Sequence, residues 1–369
     1  MEESLVKVKD RFIIETRIGG GSFGEVYKGY DEKTKKPVAF KIEHAASRFQ
    51  LVYHEGRTLK ELQNGKRIPK LYWYGRDGQF NFLVMELLGI SVEQLLERHK
   101  YSLPLKKCTP IFRQMMKRIE YLHKHDIIHR DVKCENFVLS RDNSEKKVYI
   151  IDFGLSKSYT IVKGGVHIPY RENKGLTGTV RYASINSHLG IESSRRDDIE
   201  SLIYVFIYMI KGELPWQGIT ATTRNERHML IKDRKVKIPI EELCKDCPYQ
   251  IGEILAYTRS LKFSETPDYK FLNRKLRDIY QTFSTFGSKS SKVPIVETTP
   301  LNGMSEKTGR EKKEYELITK ARSSDNLIKG LDEEGTVINE QLPLFRDRTL
   351  IEQALSQAKT KNKSQCVIF

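Results

Sequence analysis

Asp131 stands in the run His129-Arg130-Asp131-Val132-Lys133-Cys134-Glu135-Asn136; Asp152-Phe153-Gly154 follows it, and Lys41 lies far upstream in Val38-Ala39-Phe40-Lys41. These types in this order suit phosphoryl transfer. That reaction needs a carboxylate to orient an attacking hydroxyl, oxygen ligands for Mg²⁺, and a cation on the nucleotide phosphates. Asp131 supplies the first, Asn136 with Asp152 the second, and Lys41 the third. Lys41 lies among apolar neighbours and needs a counter-charge, for which Glu55 is a candidate; the helix-like stretch from Gln50 to Leu62 that holds it also contains Glu61, so a solvated helix glutamate is the alternative.

These groups need elements to hold them. Arg11 to Ile18, Glu25 to Tyr30 and Pro37 to Glu43 read as strands, predicting a small β-rich lobe. Between the first two lies a glycine turn, Gly19-Gly20-Gly21-Ser22-Phe23-Gly24. A dinucleotide-binding turn would open a helix directly; here a strand follows, which favours a hairpin lid whose backbone approaches phosphates. Ile18 at its edge and Val26 beyond it are assigned to the same nucleotide site, Val26 against the adenine. Phe112, Met115, Met116, Ile119 and Leu122 recur at helical spacing, and Asp198 to Ile210 is apolar enough for a fully buried helix. The second lobe is therefore expected to be larger and mainly α-helical, an α+β architecture.

With 369 residues, 38% hydrophobic and 30% charged, the chain can bury a sizeable core, and its longest apolar run, Leu202 to Ile210, is too short to span a bilayer. The start, Met1-Glu2-Glu3-Ser4, gives no support to secretion or N-myristoylation. Five scattered cysteines point to reduced thiols, and Cys244 with Cys247, lacking a second pair, reads as a half-buried loop pair rather than a zinc site. After about Phe286 the composition turns to Ser, Thr, Lys and Glu with few large apolar residues, so residues 10–285 are assigned to one domain and 286–369 to a mostly disordered tail; a short amphipathic helix from Arg348 to Lys359 is the weakest of these readings. From residue 287 onward there are 14 Lys and Arg against 12 Asp and Glu, leaving +14 of the +16 net charge on residues 1–286. No aromatic-basic module or zinc finger accompanies that basicity, so acidic peptides explain it better than nucleic acid does.

The joint order of the segments resembles the protein kinase pattern, which implies a bilobal fold and Mg-ATP as cofactor. Longer segments resemble the casein kinase 1 family from about residue 10 to 285: His167-Ile168-Pro169-Tyr170-Arg171-Glu172-Asn173, Leu176-Thr177-Gly178-Thr179-Val180-Arg181-Tyr182-Ala183, Leu189 to Asp198, and Leu214-Pro215-Trp216-Gln217-Gly218. Ser184-Ile185-Asn186 stands where most protein kinases carry Ala-Pro-Glu, a hallmark of that family. The resemblance implies constitutive activity, a Ser or Thr acceptor, and an acidic or phosphorylated residue upstream of it. Met85-Glu86-Leu87-Leu88-Gly89 resembles the hinge, so Glu86 and Leu88 backbone should meet the adenine edge; Lys133 is placed to touch the transferred phosphoryl; and Arg181, Arg224 and Arg227 align with the family's anion pocket. His129, Arg130 and Phe153 are read as packing and loop-fixing residues. Two departures are arginines at 224 and 227 where lysine is common, and Cys134 for the usual proline, which puts loop rigidity in question.

The chain ends Cys366-Val367-Ile368-Phe369, a C-a-a-X pattern whose terminal Phe points to geranylgeranylation, with Lys359, Lys361 and Lys363 just upstream. The expectation is a cytoplasmic serine/threonine kinase held peripherally on a membrane by a prenyl anchor and this basic patch, with a nuclear pool, and acting on acidic or phospho-primed proteins. A silent kinase-fold scaffold would need a lesion at Lys41, Asp131, Asn136 or Asp152, and none is present. A small-molecule phosphotransferase would lack the segment from Gly154 to Asn186.

Overall fold

The computed structural model describes residues 6–21 and 24–285. Strands β1 (Val6–Val8), β2 (Phe12–Gly21), β3 (Gly24–Asp31), β4 (Pro37–His44), β5 (Leu71–Asp77) and β6 (Phe80–Glu86) form one sheet in the order β1-β2-β3-β4-β6-β5, with every neighbouring pair antiparallel. Central β4 is buried along nearly its whole length, and its alternation sorts two cores. Val38, Phe40 and Ile42 pack with Phe12, Tyr27, Phe82 and Val84; Ala39 joins the other core with Leu83, Met85, Val52 and Leu59. Lys41 shares the parity of Ala39, toward helix α1 (Leu51–Glu61), so it must lie on the α1 side of the sheet.

The second lobe is helical. It opens with helices α2 (Val92–Arg98) and α3 (Leu105–His123), and α3 turns Cys108, Ile111, Phe112, Met115, Met116, Ile119 and Leu122 inward. Next come α4 (Ile185–His188), α5 (Arg195–Lys211), α6 (Arg224–Lys237), α7 (Ile240–Leu243), α8 (Tyr249–Ser260) and α9 (Tyr269–Thr285). α5 is buried almost all round: a Ser194–Asp197 capping box starts it, and Gly212 at φ 77° ends it. Phe112 of α3 stacks on Phe206 of α5 with ring centroids 4.1 Å apart. Among the described residues no helix is long and apolar enough to cross a membrane.

Two short antiparallel ribbons decide where the chemistry sits. β7 (Ile127–Ile128) pairs with β10 (Lys157–Ser158), and β8 (Phe137–Leu139) pairs with β9 (Val148–Ile150). The segment 129–136 therefore runs between β7 and β8, and 151–156 between β9 and β10, so the ribbons clamp both ends of both loops together. Neither ribbon is visible as periodicity, because strands of two or three residues carry no repeat.

Several expectations are corrected. Gly19, Gly20 and Gly21 belong to strand β2, not to a turn; Ser22 and Phe23 of that reading lie outside the described residues. Cys244 and Cys247 do lie in the connection between α7 and α8, but they are buried, 9% and 6% exposed, not half-buried, because those helices fold the connection into the helical core. The tail reading, the helix at Arg348 to Lys359 and Cys366 all lie outside the described residues.

Candidate active site

Lys41 in β4 reaches across the cleft between the lobes. Its Nζ lies 2.6 Å from Glu55 Oε2 on α1 and 2.7 Å from Asp152 Oδ1. Glu55 is 1% exposed, and its other oxygen accepts the Phe153 backbone N–H at 3.3 Å. Glu55 is thus the counter-charge of Lys41. Burial alone would lower the lysine's pKa; the carboxylates of Asp152 and Glu55 outweigh it and raise it, so the ammonium stays charged. Burial likewise pushes Asp152 up, and Lys41 more than reverses this. Glu55 itself is raised, because burial exceeds the help from Lys41 and Asp152 repels it.

Asp131 is the second focus. Its Oδ1 accepts the Thr179 backbone N–H at 2.8 Å and the Thr179 hydroxyl at 2.7 Å. Its Oδ2 faces the Lys133 ammonium at 2.6 Å, and Lys133 Nζ is also 3.4 Å from Thr179 Oγ1. Asn136 donates through Nδ2 to the Asp131 carbonyl at 2.9 Å, which turns its Oδ1 away. That leaves Oδ1 of Asn136 and Oδ2 of Asp152 as oxygen donors for a hard cation. Two protein oxygens suit Mg²⁺, which keeps several waters and shares phosphate oxygens instead of demanding a full protein cage.

The loop geometry has a buried anchor. Asp198, in the first turn of α5, accepts the His129 and Arg130 backbone N–H groups at 2.7 and 2.9 Å. His123 Nε2 lies 2.8 Å from the same carboxylate and its Nδ1 2.5 Å from the Tyr269 hydroxyl. Burial holds His123 below the usual histidine range, so the neutral ring donates from Nε2 to Asp198 and accepts at Nδ1 from Tyr269. His129 Nε2 lies 3.0 Å from the Ile151 carbonyl and its ring 5.8 Å from Phe153, while Arg130 Nε donates to the Leu155 carbonyl at 2.7 Å. Both residues therefore pin the two loops to each other. Arg130 and Asp152 adopt positive φ, 67° and 66°, conformations that only such over-determined surroundings retain.

Gly178 precedes Thr179 at φ 89°, and a Cβ there would lie 2.3 Å from the Arg130 carbonyl oxygen. Only glycine lets the segment 178–183 lie against the loop of Asp131. Ser184 and Asn186 are then fixed by Asp197, whose Oδ1 accepts Ser184 Oγ at 2.7 Å and Asn186 Nδ2 at 3.2 Å. Cys134 is fully buried at the start of the short turn Cys134–Asn136, and the Asn136 N–H closes on the Lys133 carbonyl at 3.1 Å. The loop stays anchored without proline.

At the nucleotide end, Val26 is half-buried and pairs in register with Lys41 on one side and Gly19 on the other, while Gly20 pairs with Glu25. Gly24 opens β3 at φ 128°, where a Cβ would lie 2.4 Å from the Ile42 carbonyl oxygen. Ile18 is 50% exposed at the rim. Glu86 ends β6 and donates its N–H to the Lys70 carbonyl at 2.8 Å; Leu88 follows, half-buried, with no backbone hydrogen bond among the described residues. This leaves edge groups of the kind an adenine ring takes.

The arginines divide. Arg224 and Arg227 stand exposed in the first turn of α6, and both help hold the neighbouring His228 below its usual range, after burial. Arg181 belongs to the loop after Thr179, half-buried, with its guanidinium 5.4 Å from the Tyr208 ring and 5.7 Å from that of Tyr182. The structure brings Lys41, Glu55, Asp131, Lys133, Asn136 and Asp152 to one cleft. It adds Thr179, Gly178 and Asp198, which sequence reasoning did not assign to the site; the signal for Asp198 was a carboxylate at the head of an otherwise apolar helix.

A family model described as protein kinase domain matches residues 12–277, most of the chain.

Proposed function

Because the chain belongs to the protein kinase family, we propose that this enzyme moves the γ-phosphoryl of Mg-ATP to Ser or Thr hydroxyls of acidic or phospho-primed proteins, in the manner of the casein kinase 1 type. The observation that carries the Ser/Thr reading is the Lys133 ammonium, 2.6 Å from Asp131 and 3.4 Å from the Thr179 hydroxyl. A cation beside the orienting carboxylate is placed to neutralise charge on the phosphoryl as a short aliphatic hydroxyl approaches. Lys41 would steady the nucleotide phosphates, with Glu55 holding its ammonium; Asn136 and Asp152 would hold Mg²⁺, which would supply positive charge against that of the phosphates; Asp131 would orient the acceptor hydroxyl. Gly19, Gly20, Gly24 and Val26 would cover the nucleotide, with Glu86 and Leu88 at the adenine edge. Activity without prior phosphorylation is supported by contacts already made: Lys41 to Glu55, and Thr179 to Asp131.

Arg181, Arg224 and Arg227 support recognition of a substrate phosphate, since guanidinium forks suit phosphate better than a point charge does. The test is a peptide pair, primed and unprimed. Arg181→Ala should lower kcat/KM about tenfold on the primed peptide, of the order of one charge-assisted hydrogen bond, and much less on the unprimed one. Equal losses would mean the site is structural.

The tail supports a second, independent proposal from sequence alone: Cys366 carries a C20 prenyl group, and Lys359, Lys361 and Lys363 add attraction to an anionic leaflet. Cys366→Ser should then release the enzyme from membranes without changing its activity on peptides in solution. An unmodified Cys366 by intact mass, in protein from its own cells, would overturn this.

A further inference from the structure

Lys235 is fully buried, although its neighbours Arg234, Val236 and Lys237 on α6 are exposed. A lysine without any solvent exposure is ordinarily paired with a carboxylate. Among the described residues none lies within ion-pair distance of it. Its Nζ donates instead to two backbone carbonyls, Val180 at 2.9 Å and Ala183 at 2.6 Å, and lies 4.9 Å from the Trp216 ring centroid and 5.2 Å from that of Tyr204. Trp216, 1% exposed, donates its indole N–H to the carbonyl between them, that of Arg181, at 2.7 Å.

We propose that Lys235 is a positioning residue for the substrate side of the cleft: with Trp216 it holds the carbonyls of Val180, Arg181 and Ala183 inward, and so sets where the segment 179–183 meets the acceptor. Thr179, which donates twice to Asp131, is the residue immediately before the held carbonyls. With three carbonyls drawn down onto α6 and the turn at Trp216, the Thr179 N–H and hydroxyl are left pointing at Asp131. The side chain suits this task. Burial pushes its pKa well below the usual lysine range, yet even a neutral amine offers two N–H donors from a long stem, one for each carbonyl, against the Trp216 and Tyr204 faces. An apolar side chain of equal length would leave both carbonyls buried without a donor, and the segment would have to shift to find one. The inference rests on membership of the kinase family and needs neither the phosphate site nor the lipid anchor.

The obvious alternative is that Lys235 only stabilises the lobe, and the experiment separates the two. Lys235→Met and Trp216→Phe, each in the full chain, remove the donors while keeping most of the packing volume. With Mg-ATP and an unprimed peptide, Lys235→Met should lower peptide kcat/KM tenfold or more while KM for ATP stays within twofold. Trp216→Phe should shift the same constants in the same direction by less, and the double variant should lose less than the product of the single losses, because both act on one segment. A lowered melting temperature with unchanged peptide constants would overturn the proposal, as would equal losses for ATP and peptide. Should Lys235→Met fail to fold, Trp216→Phe decides by the same comparison.

Discussion

Asp131→Asn is the sharpest perturbation of the site, because the substitution preserves shape and reverses hydrogen-bond polarity. The carboxylate takes two donors from Thr179 on Oδ1 and the Lys133 ammonium on Oδ2. An amide cannot satisfy both sides. With its nitrogen toward Lys133 it would meet a cation at the present 2.6 Å; with its nitrogen toward Thr179 it meets the backbone N–H now bonded at 2.8 Å. The second orientation is the less costly, since only one donor opposes another and the hydroxyl can rotate. It loosens Thr179 at about 1–3 kcal/mol, the usual cost of leaving a buried donor unpaired. Catalysis should suffer more. Removing a positioned carboxylate from the acceptor hydroxyl costs roughly 10²–10⁴ in rate, or about 3–5 kcal/mol. We therefore expect kcat at saturating Mg-ATP and peptide to fall at least a hundredfold, with a folded protein and a modest drop in melting temperature. A kcat within tenfold of the parent would refute the assignment of Asp131.

Glu55→Gln keeps the reach of the side chain but leaves Lys41 with Asp152 as its remaining carboxylate; kcat/KM for ATP should fall about tenfold, roughly 1.4 kcal/mol, and an unchanged value would show that the ammonium is held well enough by Asp152. Gly178→Ala forces a Cβ to 2.3 Å from the Arg130 carbonyl oxygen, so peptide turnover should drop more than tenfold in steady-state assays, an expectation defeated by parental kcat. Gly24→Ala places a Cβ 2.4 Å from the Ile42 carbonyl oxygen and should raise KM for ATP while sparing KM for peptide, as read from initial rates. Burial, then Lys235, hold His188 at a pKa of about 3. Its folded pKa lies below its unfolded one, so the unfolded chain binds the extra proton: this part of the stability is present above pH 6.5 and lost as pH falls toward 3, by at most about 1.4 kcal/mol per pH unit. His188→Gln should flatten the slope of urea-unfolding free energy between pH 6 and 4, and an unaltered slope would assign the titration elsewhere.

Much of the site was legible because its chemistry is written in side-chain types at local spacings. Lys41, Asp131, Asn136 and Asp152 are of types that fit their roles, in the order and spacing of the kinase pattern, while the choice of Glu55 as the partner of Lys41 rested on the family resemblance. The structure decided whatever depended on contacts distant in the chain. Thr179 reaches Asp131 over 48 residues, and Asp198 fixes the backbone of His129 from 69 residues away. No periodicity reports such pairings, since they arise only when α5 packs under the loops. The ribbons clamping those loops are too short to leave a pattern, and the glycines at 19 to 21 read as a turn because composition registers their freedom but not the register with Val26, Glu25 and Gly24 that keeps them extended. Lys235 shows the same division from the other side. By sequence it is one more basic residue in a basic helix; only the packing of Tyr204, Trp216 and two carbonyls around it makes it a buried donor. The identity of reacting groups is a property of side chains, which sequence determines, whereas their aim is a property of the buried hydrogen bonds behind them, which exist only once the chain has folded.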